Sequence, residues 1–357
     1  MEAKRTPLYD AHLALGGKMV EFCGWTLPVQ YSAILGEHKA VREACGLFDV
    51  SHMGEFTVRG PGALDFLNHI ATNDFRGMAD GACRYSPICY EDGGTVDDLI
   101  VYKVADGEYL VIVNAANREK DYAWMREHLL PDVELVDVSD IIAQLALQGP
   151  GFREVLARSG ALNKITERPY TFAQDVPIAG VPCLISRTGY TGEPGVEIYM
   201  KPSDAPIVYT ALLADGAVPC GLGARDLLRF ECAMPLYGHE LSSTITPLEC
   251  GLASFVKLGK PSFIGKEALS VPPKRRRIGL SLLDKGIARE HCPVLTASGH
   301  PVGETTSGGP APSLGKNVAM ALVAAEFAES PEFFIEVRGK ALRAERVKLP
   351  FFRSGNK

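Results

Sequence analysis

The stretch Gly-Gly-Thr-Val-Asp-Asp-Leu-Ile-Val-Tyr-Lys, from Gly93 to Lys103, is the most informative part of this sequence. Its two glycines indicate a turn, and the apolar and β-branched residues that follow predict a strand. Side chains alternate along a strand, so Asp98 and Tyr102 share one face and Asp97 lies on the other. A carboxylate and an aromatic ring on one face could hold a flat, nitrogen-rich ligand. The alternative is that both aspartates close a hairpin turn in water.

The composition is that of an ordinary globular protein, with 46% hydrophobic and 22% charged residues over 357 positions. This length accommodates two or three domains. The net charge of −6 argues against general nucleic-acid binding, which needs a basic surface. No apolar run is long enough to span a membrane, and the sequence does not begin with an apolar signal segment. We therefore expect a cytoplasmic protein of bacterial type that binds neither nucleic acid nor membrane.

Cysteine and histidine usage does not predict a metal site. The 9 cysteines are scattered, odd in number and free of any Cys-x-x-Cys pair, which is typical of reduced thiols buried as small apolar residues. The 8 histidines show no metal-ligand spacing with each other or with cysteine.

The segments before about residue 272 mix hairpins with helices. Hairpin signals occur at 83–89 and 99–113, and helices are predicted at 31–45, 116–130 and 203–215. Beyond that point short strands alternate with Gly/Pro/Ser turns, which predicts a small all-β barrel or sandwich. The fold class is therefore α+β, in preference to a doubly wound parallel sheet.

Two glycine-rich segments are candidate ligand loops. The loop Thr188–Gly195 leaves room for a ligand against the backbone, and its Tyr190 could stack on a ring. An ordinary wide hairpin is the alternative. The segment Gly-Leu-Gly-Ala-Arg at 221–225 lacks the third glycine of a dinucleotide fingerprint, so no nicotinamide or flavin site is predicted.

Arg225 and Glu197 are the charged residues that follow these loops. Arg225 lies at the start of a predicted helix, where the helix dipole disfavours a cation. It therefore needs an acidic partner, which is either Asp226, Glu231 or an anionic ligand. Glu197 lies on the strand that returns from the loop.

Ordered matches along almost the whole chain make this sequence resemble the aminomethyltransferase, or T-protein, family of the glycine cleavage system. No single matching segment is specific to the family, but so many segments in the same order are. The matching segments are Thr-Pro-Leu-Tyr at 6–9, Gly-Gly-Lys-Met-Val at 16–20, Gly-Trp at 24–25, Phe-Asp-Val-Ser-His-Met at 48–53, Gly-Gly-Thr-Val-Asp-Asp-Leu-Ile-Val at 93–101, Gln-Gly-Pro at 148–150, Thr-Gly-Tyr-Thr-Gly-Glu at 188–193, Gly-Leu-Gly-Ala-Arg-Asp at 221–226, Phe-Ile-Gly-Lys-Glu-Ala-Leu at 263–269 and Pro-Ser-Leu-Gly at 312–315.

The resemblance implies a three-domain cloverleaf around a central channel that binds tetrahydrofolate. Residues 1–271 would form the folate-binding aminomethyltransferase region. It would consist of two intertwined α+β domains, roughly 1–50 with 140–271, and 51–139. Residues 272–357 would form a C-terminal β-barrel domain.

The activity implied is a tetrahydrofolate-dependent one-carbon transfer in glycine catabolism. The family moves the methylene carbon of the aminomethyl group on the lipoyl arm of H-protein to tetrahydrofolate. The products are ammonia, 5,10-methylenetetrahydrofolate and dihydrolipoyl H-protein. Lipoylated H-protein is the implied partner and tetrahydrofolate the co-substrate, with no metal, flavin or nicotinamide.

The family's key aspartate matches Asp98, which strand alternation places on the face of Tyr102. Asp97 would then close the turn or pair locally. A C-terminal tyrosine that reaches the substrate in some members is missing from this chain. The folate contacts implied are Met53, Tyr85, Tyr102, Asn114, Tyr190, Glu197 and Arg225.

Two related classes are alternatives. Non-enzymatic folate-binding relatives support iron–sulfur enzymes or RNA modification, but they carry a Lys-Gly-Cys-Tyr-x-Gly-Gln-Glu signature. Here the corresponding stretch, 262–267, reads Ser-Phe-Ile-Gly-Lys-Glu and has no cysteine. The folate domains of sarcosine- or dimethylglycine-oxidising enzymes are fused to a flavin-binding part, for which this chain has no segment.

Overall fold

The structure is a computed structural model that describes residues Ala3 to Gly355. The helices are α1 Tyr9–Ala14, α2 Ile34–Glu43, α3 Ala63–Ile70, α4 Arg118–Glu127, α5 Phe152–Arg158, α6 Ala205–Ala214, α7 Leu222–Glu231 and α8 Lys266–Leu269. The strands are β1 Lys4–Arg5, β2 Lys18–Phe22, β3 Trp25–Gln30, β4 Gly46–Asp49, β5 Gly54–Arg59, β6 Cys83–Cys89, β7 Thr95–Ala105, β8 Glu108–Val113, β9 Glu134–Asp137, β10 Ala143–Gln148, β11 Phe172–Ile178, β12 Val181–Ser186, β13 Gly195–Met200, β14 Val218–Pro219, β15 Arg275–Leu282, β16 Pro293–Leu295, β17 Pro301–Ala311, β18 Lys316–Ala324, β19 Glu332–Val337 and β20 Lys340–Val347.

Internal contacts divide the chain into two compact units. The first consists of the residues up to Leu67 together with Phe75–Tyr85 and Leu99–Leu228. The second consists of Asn68–Asp74, Ser86–Asp98 and the chain from Arg229 onward. Strand β7 contributes its first residues to the second unit and the remainder to the first.

The first unit contains three sheets. A six-stranded sheet has the order β11-β12-β13-β10-β4-β14, and a five-stranded sheet has the order β6-β7-β8-β5-β9. The third sheet, β1-β3-β2, is absent from the sequence-based expectations. Strands β10 and β13 are buried along their whole length, so both of their faces are covered. Alternate residues of β13, such as Val196 and Ile198, pack in an apolar core with Val155 of α5 and Leu212 of α6.

The last strands of the chain form a closed barrel in the second unit. Its strand order is β15-β18-β17-β16-β19-β20. Small and branched side chains fill the interior, including Leu280, Val294, Ala321, Phe333 and Ile335. The α+β prediction is confirmed, and the choice left open between barrel and sandwich is settled as a barrel. No helix within Ala3–Gly355 combines the length and apolar character needed to cross a membrane.

A buried lysine holds the end of α3 in the second unit. Lys260 is only 4% exposed. Its Nζ donates hydrogen bonds to the carbonyl oxygens of Asn68 at 2.8 Å, Ala71 at 2.7 Å and Asn73 at 2.7 Å. An ammonium has three donors, and three carbonyls accept them here. Its charge also lies 5.1 Å from the centre of the Phe263 ring.

Replacing Lys260 by methionine should lower the free energy of unfolding by about 2–4 kcal/mol, because buried carbonyls would lose their donor. Urea denaturation followed by circular dichroism measures the change. The control is Lys257→Met, because the exposed ammonium of Lys257 bonds the Ser254 carbonyl at 2.7 Å. Equal midpoints for the two variants would contradict this structural role.

Candidate functional site

The candidate site lies in the first unit, where the two large sheets face each other. On the five-stranded sheet, Tyr102 lies opposite Leu110 of β8 and Ile100 lies opposite Ile112. These side chains therefore share one face, since directly opposed residues project from the same side of a sheet. Together with Tyr199 of β13 they form an apolar cluster. The face predicted to carry Tyr102 is thus turned toward the sheet that carries Glu197.

A chain of hydroxyl groups connects the two sheets. Tyr102 is fully buried, and its hydroxyl bonds Ser186 Oγ at 3.0 Å, Tyr199 OH at 2.9 Å and Thr188 Oγ1 at 3.3 Å. Thr188 Oγ1 in turn donates to Glu197 Oε2 at 2.5 Å. Tyr102 therefore acts on Glu197 through hydrogen bonds, and its own ring packs on neighbouring aromatic side chains.

Glu197 is 8% exposed and has an unusual proton affinity. Burial raises the pKa of its carboxyl, because a low-dielectric environment disfavours the charged form. The hydrogen bond from Thr188, the positive charge of Arg225 and the contacts with Gln144 and Tyr199 partly offset that rise. The carboxylate is thus held between desolvation, which favours its neutral form, and donors that favour its charge.

Gln148 holds the glycine-rich loop in position. Its Nε2 donates to the carbonyls of Thr188 at 3.2 Å and Val196 at 3.1 Å, and its Oε1 accepts from Thr191 Oγ1 at 2.8 Å. A Cβ on Gly189 would lie 2.1 Å from Gln148 Oε1, so a side chain there is sterically excluded. The loop connects the antiparallel strands β12 and β13 and is therefore a wide hairpin, which Gln148 holds in position.

Arg225 lies in the first turn of α7, with its guanidinium carbon 4.8 Å from the centre of the Tyr190 ring. Its Nη1 is buried and has no hydrogen-bond partner among the described residues. Burial lowers the pKa of this guanidinium, whereas the nearby charge of Glu197 opposes the change. Glu197, Arg225 and Tyr190, each predicted separately as a ligand contact, therefore meet in one cluster.

The turn after β4 brings His52 to the same cluster. Asp49 accepts hydrogen bonds from Thr6 Oγ1 at 2.6 Å and from the Ser51 backbone N–H at 3.0 Å. Burial of His52 lowers its pKa to about 4, helped by the charge of Arg225 and opposed by that of Asp49. The imidazole is neutral at pH 7, and its Nδ1 has no partner in the described part of the chain.

The remaining predicted contacts, Met53, Tyr85 and Asn114, lie on or next to the strands of the five-stranded sheet. Met53 is half-buried and packs against two apolar clusters, one containing Phe48 and one containing Tyr102. Tyr85 is half-buried on β6, and Asn114 directly follows β8.

Gln144 and Glu55 belong to this region but are missing from the predicted contacts. Gln144 Nε2 donates to Tyr199 OH at 3.1 Å, which leaves its Oε1 without a partner among residues Ala3–Gly355. Both carboxyl oxygens of Glu55 also lack hydrogen-bond partners among these residues. The sequence signal for both residues was a polar side chain on a strand with apolar neighbours. That pattern does not show which residues pack against the polar side chain.

Asp98 belongs to the second unit and lies within β7. It is half-buried, and its charge contributes to raising the pKa of Cys250, for which burial is the larger cause. Asp97 is completely buried inside the strand. In the turn, Asp92 accepts from the Gly94 N–H at 3.0 Å. That Asp97 closes this turn or pairs locally stays a prediction.

Across the described residues, no group of three or more histidine, cysteine, aspartate or glutamate side chains is arranged to hold a metal ion. All nine cysteines are free thiols in this structure, and most of them are buried.

Comparison with known proteins identifies the family. Residues 8–260 match the family model of the GCVT N-terminal domain, and residues 275–353 match that of the glycine cleavage T-protein C-terminal barrel domain. An aminomethyltransferase of Geobacillus kaustophilus is 49% identical over 360 residues, which is 98% of this chain and 99% of the relative. One of Moorella thermoacetica is 49% identical over 366 residues, which is 100% of each chain.

A solved structure agrees with these sequence comparisons. The crystal structure of the glycine cleavage system aminomethyltransferase T of Bartonella henselae superimposes with a TM-score of 0.90 at 33% identity, covering 98% of each chain. The chain belongs to the glycine cleavage T-protein family. Within that family, its activity is that of an aminomethyltransferase of the glycine cleavage system.

The Thr188→Val substitution should raise the pKa of Glu197 further, because it removes the strongest hydrogen bond to the ionised carboxyl. Carboxyl carbon NMR titration of the unliganded protein measures this pKa. The matched control is Thr166→Val, whose hydroxyl bonds Thr171 at 2.6 Å. A Glu197 pKa that is the same in parent and Thr188→Val proteins would contradict the assigned hydrogen bond.

Proposed function

We propose that the cluster around Glu197 and Arg225 binds tetrahydrofolate. The observation that carries this proposal is the cluster of a buried carboxylate, a buried guanidinium without a partner at Nη1 and the stacked ring of Tyr190. The amino group and ring N–H of a pterin form an edge of two donors, which a carboxylate accepts well. Met53, Tyr85, Tyr102 and Asn114 complete the proposed binding set.

Asp98 is the proposed catalytic residue. The reaction forms two bonds from one carbon to two folate nitrogens, and it breaks the bonds of that carbon to the amine and to sulfur. Of the two protons that leave the folate nitrogens, one goes to the lipoyl sulfur and the other leaves with ammonia. A carboxylate at the reacting carbon can stabilise the developing positive charge and carry a proton between these atoms. Strand alternation, which puts Asp98 on the face of Tyr102, supports this role.

Lipoylated H-protein is the proposed donor of the aminomethyl group, as expected for an aminomethyltransferase of the glycine cleavage system. We also propose that the enzyme works in the bacterial cytoplasm without metal, flavin or nicotinamide. The proposed domain division is 1–50 with 140–271, 51–139, and 272–357. A gap between the two matched family models, from 260 to 275, supports the last of these boundaries.

The direct test mixes the purified chain with aminomethyl-loaded H-protein and measures ammonia with and without tetrahydrofolate. We expect rapid ammonia release only when both substrates are present, together with formation of methylenetetrahydrofolate. The control replaces loaded H-protein by its lipoylated but unloaded form. Ammonia release that is independent of tetrahydrofolate would overturn the proposed reaction.

The Asp98→Asn variant should bind tetrahydrofolate with almost unchanged affinity and lose about 10²–10⁴-fold in kcat, the usual range for a general acid–base group. Asp97→Asn is the matched control, since it changes the same group on the opposite face of the strand. Single-turnover kinetics, corrected for the folded fraction, separate the two residues. A parental rate for Asp98→Asn would remove Asp98 from the mechanism.

A further inference from the structure

Glu55 lies on the face of the five-stranded sheet that is turned toward the sheet of Glu197. In the register of the sheet it is opposite Ile112 of β8, which is opposite Ile100 of β7. Opposed residues share a face, so Glu55 projects from the same side as Tyr102. Met53, which is two positions earlier in the chain, packs on the apolar cluster of this face. The sheet therefore places Glu55 next to a predicted folate contact.

The main chain of Glu55 is fully bonded, but its side chain is not. Its N–H donates to Ser139 Oγ at 2.8 Å, and its carbonyl accepts from the Val138 N–H at 2.9 Å. The residue is 1% exposed, and within the described chain neither carboxyl oxygen has a hydrogen-bond partner. Buried polar groups in proteins are nearly always bonded, so this carboxyl is prepared for a partner that the chain does not supply.

The charges around Glu55 favour its uncharged form. Burial raises the pKa of Glu55 well above its usual range, and the charges of Asp137, Asp140 and Glu197 add to that effect. The charge of Arg118 acts in the opposite direction, but its guanidinium donates to Asp137 and Asp140, each at 2.8 Å. Burial and the acidic neighbours both favour the uncharged form of the Glu55 carboxyl, which has one donor and one acceptor oxygen.

We propose that Glu55 is a further ligand-binding residue, which bonds the edge of the reduced pterin that presents one N–H beside one acceptor. This inference rests on the proposed function, because it assigns a second group to the same tetrahydrofolate site. An uncharged carboxyl matches a donor–acceptor edge, whereas the carboxylate of Glu197 matches an edge of two donors. The two acids would thus recognise different edges of one flat ligand.

The chemistry of the two acids predicts opposite responses to the same substitution. Glutamine reproduces the donor and acceptor of an uncharged carboxyl, so Glu55→Gln should bind tetrahydrofolate within about 3-fold of the parent. Glu55→Leu removes both groups and should weaken binding by about 10- to 100-fold. Glu197→Gln replaces an acceptor by a donor and should weaken binding in the same range as Glu55→Leu.

Titration calorimetry of the full chain with tetrahydrofolate measures these affinities, and thermal unfolding without ligand provides a second measurement. The melting temperature of Glu55→Leu should equal or exceed that of the parent, because an unbonded buried carboxyl has been removed. A purely structural Glu55 would give a lower melting temperature with unchanged affinity. Glu55→Met replaces Glu55→Leu if the latter does not fold. The control Asp121→Asn alters a buried acid on α4 and should leave the affinity unchanged.

The possible failures are distinguishable. Parental affinity of folded Glu55→Leu, with weakened binding by Glu197→Gln, would overturn the role of Glu55 and leave the proposed function intact. Equal weakening by Glu55→Gln and Glu55→Leu would show that Glu55 acts as a charged group and would overturn its assignment as an uncharged one. If the parent protein does not bind tetrahydrofolate, the proposed function and the role of Glu55 are both wrong.

Discussion

The candidate site depends on one constraint. The Glu197 carboxyl lies on a strand that is buried on both faces, and its burial must be compensated. A buried carboxylate is costly unless donors and a positive charge compensate for lost water. Thr188 provides a short hydrogen bond and Arg225 provides the charge. The Thr188 hydroxyl is held by Ser186 at 2.6 Å and by the buried Tyr102. The facing sheet thereby fixes the position of the acid.

This constraint also explains the segments that surround the acid. The loop that carries Thr188 and Tyr190 is fixed by Gln148, which binds its backbone at both ends. The turn after β4 packs against Gln144, whose backbone bonds Ser51 Oγ in both directions. Motifs that are far apart in the sequence are thus parts of one hydrogen-bonded support. Of the residues in this support, Thr188 and Gln144 act directly on the Glu197 carboxyl.

Strand alternation and turn chemistry predicted the parts of this site that local sequence determines. They placed Asp98 and Tyr102 on one face, and they identified the turn at Gly93, which has a φ of +87°. The start of β7 at Thr95 has no local signal, so they left open whether Asp97 closes the turn or pairs locally. The helix of Arg225 was predicted, and its first residue, Leu222, is a boundary that depends on tertiary contacts.

Partner choice is the part that the sequence could not provide. Arg225 was expected to need a carboxylate, and Glu197 is 28 residues earlier on another element, beyond the reach of any local pattern. Gln144 and Glu55 were missed because a polar residue on a strand is ordinarily a solvated one, and His52 was missed because it lies in the turn after β4. Only the facing of the two sheets shows that these side chains point inward. The resemblance to a family supplied the predicted ligand contacts. The register of the five-stranded sheet then showed that Glu55 lies on the same face as Tyr102.

Two buried cations, Lys260 and Arg225, differ in how completely their N–H donors are hydrogen-bonded. Lys260 bonds three carbonyls, which accounts for every donor that an ammonium has. Arg225 lies beside an acid and a ring, yet its Nη1 is left without a partner in the described chain. The first arrangement needs nothing from outside and fixes a local fold. The second leaves part of the desolvation cost of Arg225 uncompensated within the described chain, and Glu55 on the five-stranded sheet has the same property. Under the proposed function, buried polar groups that are left unbonded in this way gain most from a ligand with complementary edges.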